Sequence, residues 1–267
     1  MIYFKTNEEI DLIRKSCLLV SRTLAEIAKY INPGVTTIEL DRVAEAFIIK
    51  NDGKPAFLRY QGYPNTLCIS VNDTVLHGLP SLYSFKEGDI VSIDCGVLLN
   101  NFYGDSCYTF MVGNVSRKDF ELCKVTYNAL ENAITAAKEG NRFGNIGFSI
   151  QNHVESNNFE VIKNYSGHGI GRNLHEAPLV RNFGKPMEGT KLVRGMVLAI
   201  EPMVSKEKSD VVIASDGWSV KTVNGENSAH FEHTIVIRDG KTELLSTFSS
   251  IEEAIKENRY LWQNSLL

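Results

Sequence analysis

The sequence predicts an α+β fold made of two similar halves related by a pseudo-twofold axis, with helices packed on a central antiparallel sheet. Three observations lead there. An amphipathic helix pattern with the same apolar spacing occurs twice. A second helix pattern follows each copy. A short apolar run ending in a carboxylate six residues after a glycine also occurs twice. The repeat runs over about 1–113 and 114–250, within a single domain spanning 1–267.

The elements follow in order. Residues 6–30 predict a helix: Thr6 and Glu9 have capping-box spacing, and Ile10, Ile13, Cys17, Val20, Leu24 and Ile27 form one stripe. A shift of 110 residues repeats the pattern, with Ser116 and Asp119 at the cap and Phe120, Cys123, Tyr127, Leu130, Ile134 and Ala137 in the stripe. Each helix ends near a glycine, Gly34 or Gly140. A second helix then spans 37–50, with Leu40, Val43, Ala44 and Phe47 inward, and another 144–156, with Ile150 and Val154 inward. Glycine within the last stretch argues against it. Gly88–Asp94 (GDIVSID) and Gly195–Glu201 (GMVLAIE) read as buried strands ending in an acid. Asp105 and Glu232 each lie eight residues before a glycine, Gly113 or Gly240.

Composition excludes several functions. The 267 residues are 43% hydrophobic and 22% charged, with a net charge of −4, and no run of Lys and Arg suggests nucleic-acid recognition. The first fifteen residues lack the apolar core of a secretory signal, and no apolar run approaches the roughly 18 residues of a membrane span. The five cysteines, Cys17, Cys68, Cys95, Cys107 and Cys123, form no Cys-x-x-Cys pair and read as reduced thiols in a cytoplasmic protein.

The repeated acids point to a metal site. A buried carboxylate must be neutralised, paired or bound to a cation. A two-residue turn at Asn100-Asn101 places Asp105 opposite Gly96, so that Asp94 and Asp105 share one face of a hairpin. The 30 residues between Glu201 and Glu232 leave their register open. Four converging carboxylates call for two divalent ions, in the manner of dinuclear hydrolases, where metals lie about 3.5–4 Å apart. An added imidazole suits Mn, Fe, Co or Zn. Of the six histidines, His153 reads as solvated surface. His230 shares the face of Glu232, and His233 faces away as a structural residue. His77, His168 and His175, taken singly, are each more often structural than ligands.

The stretch SGHGIGRNLHEAP (166–178) fits neither Gly-x-Gly-x-x-Gly, a P-loop nor His-Glu-x-x-His. Its glycines suit a loop feeding an imidazole into a crowded metal pair. Together with VNDTVLHGLP (71–80), SIDCG (92–96), YGDSC (103–107), AIEPM (199–203), DGWSVKT (216–222) and SAHFEHTIVI (228–237), it resembles the methionine aminopeptidases, in their short type I form, of the pita-bread superfamily (peptidase family M24). The resemblance covers essentially the whole chain.

The resemblance implies the pita-bread fold and hydrolytic removal of N-terminal methionine, preferentially before a small second residue. It implies that Asp94, Asp105, His168, Glu201 and Glu232 bind two divalent metal ions (Co, Mn, Fe, Zn or Ni), with Asp105 and Glu232 bridging. His77 and His175 are then catalytic residues that also contact substrate, and Glu201 is the proton acceptor. Tyr60, Tyr63, Cys68 and Trp218 line the methionine pocket. The partners are N-terminal-methionine peptides and nascent chains at the ribosome, with no direct nucleic-acid recognition and no membrane, and the protein is a cytoplasmic monomer. Three positions depart from the family pattern. Phe57 stands where smaller residues are usual, Leu174 where an aromatic is common, and His230 where an uncharged side chain is usual. The rivals are an Xaa-Pro aminopeptidase or prolidase, which usually carries an extra N-terminal domain, a non-catalytic binding protein on the same fold, and a dinuclear phosphatase, for which little beyond Arg172 speaks.

Overall fold

The structure, a computed structural model, describes residues 1–262 and Leu266. Helix α1 (Asn7–Ala28) starts where Thr6 and Glu9 exchange capping hydrogen bonds, and its six stripe residues are all buried. Full burial of each large member is worth about 1.5–3 kcal/mol, which outweighs any single residue's helix propensity. Helix α2 (Thr37–Lys50) repeats the capping box with Thr36 and Glu39. Leu40 and Ala44 are buried, Val43 and Phe47 are half-buried, and Ile48 adds an inward position. In α3 (Arg117–Ala136) the Ser116 hydroxyl accepts from the Asp119 N–H; Cys123, Tyr127 and Leu130 are buried, with Phe120 and Ile134 at the margin. Helix α4 (Phe143–Ser156) forms despite its glycines, for a steric reason. The 183–188 segment packs on its backbone, and a Cβ at Gly144 or Gly147 would stand 2.2 Å from the Lys185 carbonyl or 2.3 Å from that of Phe183. Helix α5 (Ser249–Glu257) lies against α1.

The first half contributes β1 (Lys54–Pro55), β2 (Leu67–Val71), β3 (Thr74–Leu76), β4 (Ile90–Leu99) and β5 (Phe102–Met111). The second begins with β6 (Glu160–Val161), β7 (Ser166–Gly169), β8 (Glu176–Arg181), β9 (Val197–Ile200) and β10 (Met203–Ser205). It continues with β11 (Val211–Ile213), β12 (Val220–Thr222), β13 (Ser228–His230), β14 (His233–Arg238) and β15 (Lys241–Leu244). Among the described residues the expected central sheet is divided into four. One is β4 with β5, β2 and β1; another is β15-β14-β9-β7-β8; the small ones are β13-β10-β6 and β11-β12-β3. Every strand pairing is antiparallel.

The duplication shows in the backbone. Gly34 and Gly140, Gly88 and Gly195, and Gly113 and Gly240 have φ of 98° and 86°, 94° and 87°, and 60° and 66°. The β4–β5 hairpin corresponds to the β9–β14 pair, whose connection is enlarged by β10 to β13. Three expectations are corrected. Asp94 does not end its strand, because β4 runs on to Leu99 and pairs with β5 throughout. Gly167–Gly169 is not a loop but a strand between β8 and β9. His153 is half-buried, with its Nε2 enclosed, and not a solvated surface residue.

Candidate metal centre and its cavity

The β4–β5 hairpin carries two of the acids. Asn100 and Asn101, at φ 52° and 64°, make the two-residue turn, a conformation asparagine tolerates better than most residues. Asp105 then pairs with Gly96 and Asp94 with Cys107, and the two aspartates lie diagonally on one face, as the sequence predicts. Gly96 makes room for the Phe57 ring, which a Cβ there would meet at 2.6 Å.

Glu201 follows β9 and Glu232 precedes β14. Pairing of Ile200 with His233 sets the two acids side by side. Strand β5 fixes what the sequence leaves open. The Ser106 hydroxyl donates to the Glu232 carbonyl (2.7 Å), the Glu232 N–H to the Cys107 carbonyl (2.9 Å), and the Thr234 hydroxyl to the Asp105 carbonyl (2.8 Å). Asn182 holds the Glu201 carbonyl at 2.9 Å.

His168 enters from β7. Gly167 and Gly169 let this strand fit between its neighbours, since a Cβ at either would come within 2.2 Å of the Ala199 carbonyl or 2.5 Å of that of Ala177. The His168 Nδ1 lies 2.9 Å from the Gly169 carbonyl and donates to it, which leaves the Nε2 lone pair free. That Nε2 faces Glu201 Oε1 at 3.5 Å. Two acceptors so placed need a proton or a cation between them. Donor atoms of Asp105, His168 and Glu232 all lie within 4.8 Å of one another.

Burial pushes the Asp94 carboxyl up to about 7, and drives Asp105, Glu201 and Glu232 well above the usual carboxylate range, with neighbouring carboxylates adding to it. Burial, then His175, brings His168 down to about 3 and His77 to about 4; burial, then His77, brings His230 to about 3. Asp94 Oδ1, Asp105 Oδ1 and Glu232 Oε1 are buried without a hydrogen-bond partner. Acids lacking counter-charge beside an imidazole lone pair fit divalent cations of the kind that accept both oxygen and nitrogen.

These groups form the floor of a cavity of about 540 Å³. Metallopeptidase family M24 matches residues 11–239. A protein of Clostridium perfringens named methionine aminopeptidase is 47% identical over 92% of this chain and 99% of its own length. The crystal structure of methionine aminopeptidase from Thermotoga maritima, 45% identical, superposes with a TM-score of 0.91 over 92% of this chain and all of that one. The chain belongs to the methionine aminopeptidases of metallopeptidase family M24. A prolidase from Pyrococcus horikoshii, 24% identical with a TM-score of 0.75 over 91% of this chain and 63% of its own, shares the fold. As a family M24 metallopeptidase, the protein uses divalent metal.

In this M24 chain the remaining expected residues also reach the cavity. Tyr60, Tyr63, Cys68, Trp218, His77 and His175 all line it. Trp218 meets the Tyr63 ring edge-on at 5.2 Å, and the Tyr63 hydroxyl donates to the Leu67 and Gly78 carbonyls. This pins the segment carrying His77, whose φ is 54°. The Tyr60 hydroxyl lies 2.9 Å from His175 Nδ1, and the His175 ring stands edge-on to His168 at 4.4 Å. Of the three departures, Phe57 and Leu174 are both buried in the wall, and His230 is buried there too. His233 is structural: its Nδ1 is 2.7 Å from the Ser246 hydroxyl and its ring stacks on Phe248.

Two features were not expected from the sequence. Tyr165 joins the wall, its ring edge-on to His77 at 5.9 Å; its place next to the Ser166–His168 motif was the available signal. Lys5 forms a nearly fully buried ion pair with Glu176, the neighbour of His175. The two are 171 residues apart, and no local pattern announces the contact.

Proposed function

We propose that this chain is a type I methionine aminopeptidase, hydrolysing the peptide bond after an N-terminal methionine when the second residue is small. The observation that carries this is the gathering of Asp94, Asp105, His168, Glu201 and Glu232 beneath a cavity walled by Tyr60, Tyr63, Cys68 and Trp218. Aromatic and sulfur surfaces suit an unbranched thioether. The names of the relatives support the same substrate.

In this reading Asp94, Asp105, His168, Glu201 and Glu232 would hold two divalent ions, with Asp105 and Glu232 shared between them. Co, Mn, Fe, Zn and Ni all suit such mixed donors. When bound, the ions supply acidification of water and polarisation of the scissile carbonyl. Glu201 takes the proton of the attacking water and returns it to the leaving amine. In the same reading the Tyr60 hydroxyl, 2.9 Å from His175 Nδ1, donates to it, which places the ring proton on Nε2, where it donates to the carbonyl oxygen as charge develops there. His77, held neutral by burial, contacts the scissile amide. Residues 1–267 act as one catalytic domain, a cytoplasmic monomer working on peptides and on nascent chains at the ribosome. Among the described residues no helix is long and apolar enough to cross a membrane.

The test is a peptide panel with Mn-loaded protein: Met-Ala-x, Met-Leu-x, Leu-Ala-x and Ala-Pro-x. Methionine released from Met-Ala-x alone is the expected result. Preferential cleavage of Ala-Pro-x moves the chain to the prolidase side of the fold.

A further inference from the structure

The two oxygens of Glu201 face two different imidazoles. Oε1 lies 3.5 Å from Nε2 of His168, and Oε2 lies 4.0 Å from Nε2 of His230. Donor atoms of Asp105, His168 and Glu232 converge within 4.8 Å of one another, and Glu201 lies between that cluster and His230. Nε2 of His230 is buried and has no hydrogen-bond partner, although the residue is only 2% exposed. Its backbone cannot carry the ring elsewhere. The N–H donates to Thr109 Oγ1 (3.0 Å), the carbonyl accepts from the same hydroxyl (2.7 Å), and the residue pairs with Met203 across β13 and β10. The carboxylate is the part that can turn: the terminal torsion of glutamate is soft, and a hydrogen bond of about 2.9 Å needs a shift of about 1 Å.

We propose that His230 is a positioning residue for Glu201: its Nε2–H donates to Oε2, so that Oε1 alone is presented to the metal centre and the attacking water. The idea rests on the function proposed above. It adds that the proton-accepting carboxylate is held in one orientation by a neutral imidazole that is not itself a metal donor. His168 and His230 thus carry opposite tautomers. His168 is protonated at Nδ1 and offers Nε2 as a lone pair, whereas His230 is protonated at Nε2 and offers a donor. Outer partners of this kind change metal affinity or activity by about 10- to 100-fold when removed.

Two measurements test it. Long-range proton–nitrogen correlation spectra of protein labelled with 15N-histidine, without metal and with Zn²⁺, read the tautomers directly. The expected result is an Nε2–H form of His230 in both states, while Nε2 of His168 moves to the position of a metal-bound nitrogen. An Nε2 of His230 that moves with that of His168, or an Nδ1–H form, overturns the proposal. The second measurement compares H230Q, which keeps a donor, with H230L, which lacks one. H230L should lose about 10- to 100-fold in Zn²⁺ affinity by calorimetry and in kcat, with KM held, and H230Q should stay near wild type. H230L indistinguishable from wild type, or H230Q falling as far as H230L, refutes the donor role. If H230L does not fold, the spectra of the wild-type protein still decide. Neither tautomers nor Zn²⁺ affinity depend on which peptide is cut, so failure of the peptide panel and failure of this proposal are separable.

Discussion

Asp105 concentrates the chemistry of the site in one side chain. Burial first, then Glu232 and Asp94, raise its carboxyl, so the fold holds an acid that is uncomfortable until a cation arrives. D105A should abolish turnover and leave the purified protein with fewer bound ions than wild type, as read by elemental analysis; near-wild-type activity in metal-loaded D105A would remove the bridging role. D105N preserves the shape without the charge, and should raise the melting temperature of the metal-free protein while lowering that of the metal-loaded one. This residue was legible because a strand has a period of two: once Asn100-Asn101 is taken as the turn, parity alone puts Asp94 and Asp105 on one face. The same parity argument set His230 apart from His233, and the structure keeps them apart by a break at Phe231-Glu232 that puts them on different strands. The tautomer of His168 was not legible, since it depends on the carbonyl of Gly169 in a strand that the glycines disguise.

Helices were legible at the scale of elements because their signals are local: caps at Thr6 and Ser116, and apolar stripes in each helix. Strand β7 was not, because Gly167 and Gly169 carry no strand propensity. Their role appears only when the neighbours are present, with Ala199 and Ala177 carbonyls too close for any Cβ. G167A should therefore be strongly destabilised in chemical denaturation, although alanine is an ordinary substitution for an exposed glycine. The N-terminal segment is a second non-local element. Ile2 bridges to Ala177, the Lys5 N–H donates to the Gly195 carbonyl, and the Lys5 ammonium pairs with Glu176, which also accepts from the Asn173 N–H. K5M leaves Glu176 buried without its partner and should cost about 3–5 kcal/mol of unfolding free energy. K5M/E176Q should recover much of that loss in a double-mutant cycle, whereas additive losses would show that the two side chains act independently.

The donors of the proposed metal centre come from both halves of the molecule: Asp94 and Asp105 from the first, His168, Glu201 and Glu232 from the second. The duplication and the meeting of an acid pair from each half were readable from the repeated stripes, glycines and acids, but the contacts that make the meeting were not, because they are side-chain bonds of β5 and β14 that tie β5 to residues 230–234. Stability should consequently depend on metal and pH together. An acid with a raised folded-state value is protonated in both states below its unfolded value of about 4, and imposes no penalty there. Above that, the unfolded chain releases protons that the folded chain retains, so stability falls as pH rises, through about 7 for Asp94. Divalent ions reverse the trend, since they bind the ionised carboxylates and stabilise the folded state in proportion to their affinity. The lowered values of His77, His168, His230 and His233 act the other way up to about 6.5, where the unfolded histidines still hold protons. Melting temperatures with a chelator should therefore decline from about pH 7 to pH 8.5, and the increment produced by Mn²⁺ should grow over the same interval. An increment that stays constant or shrinks with pH would mean that these buried acids are not what the ions bind.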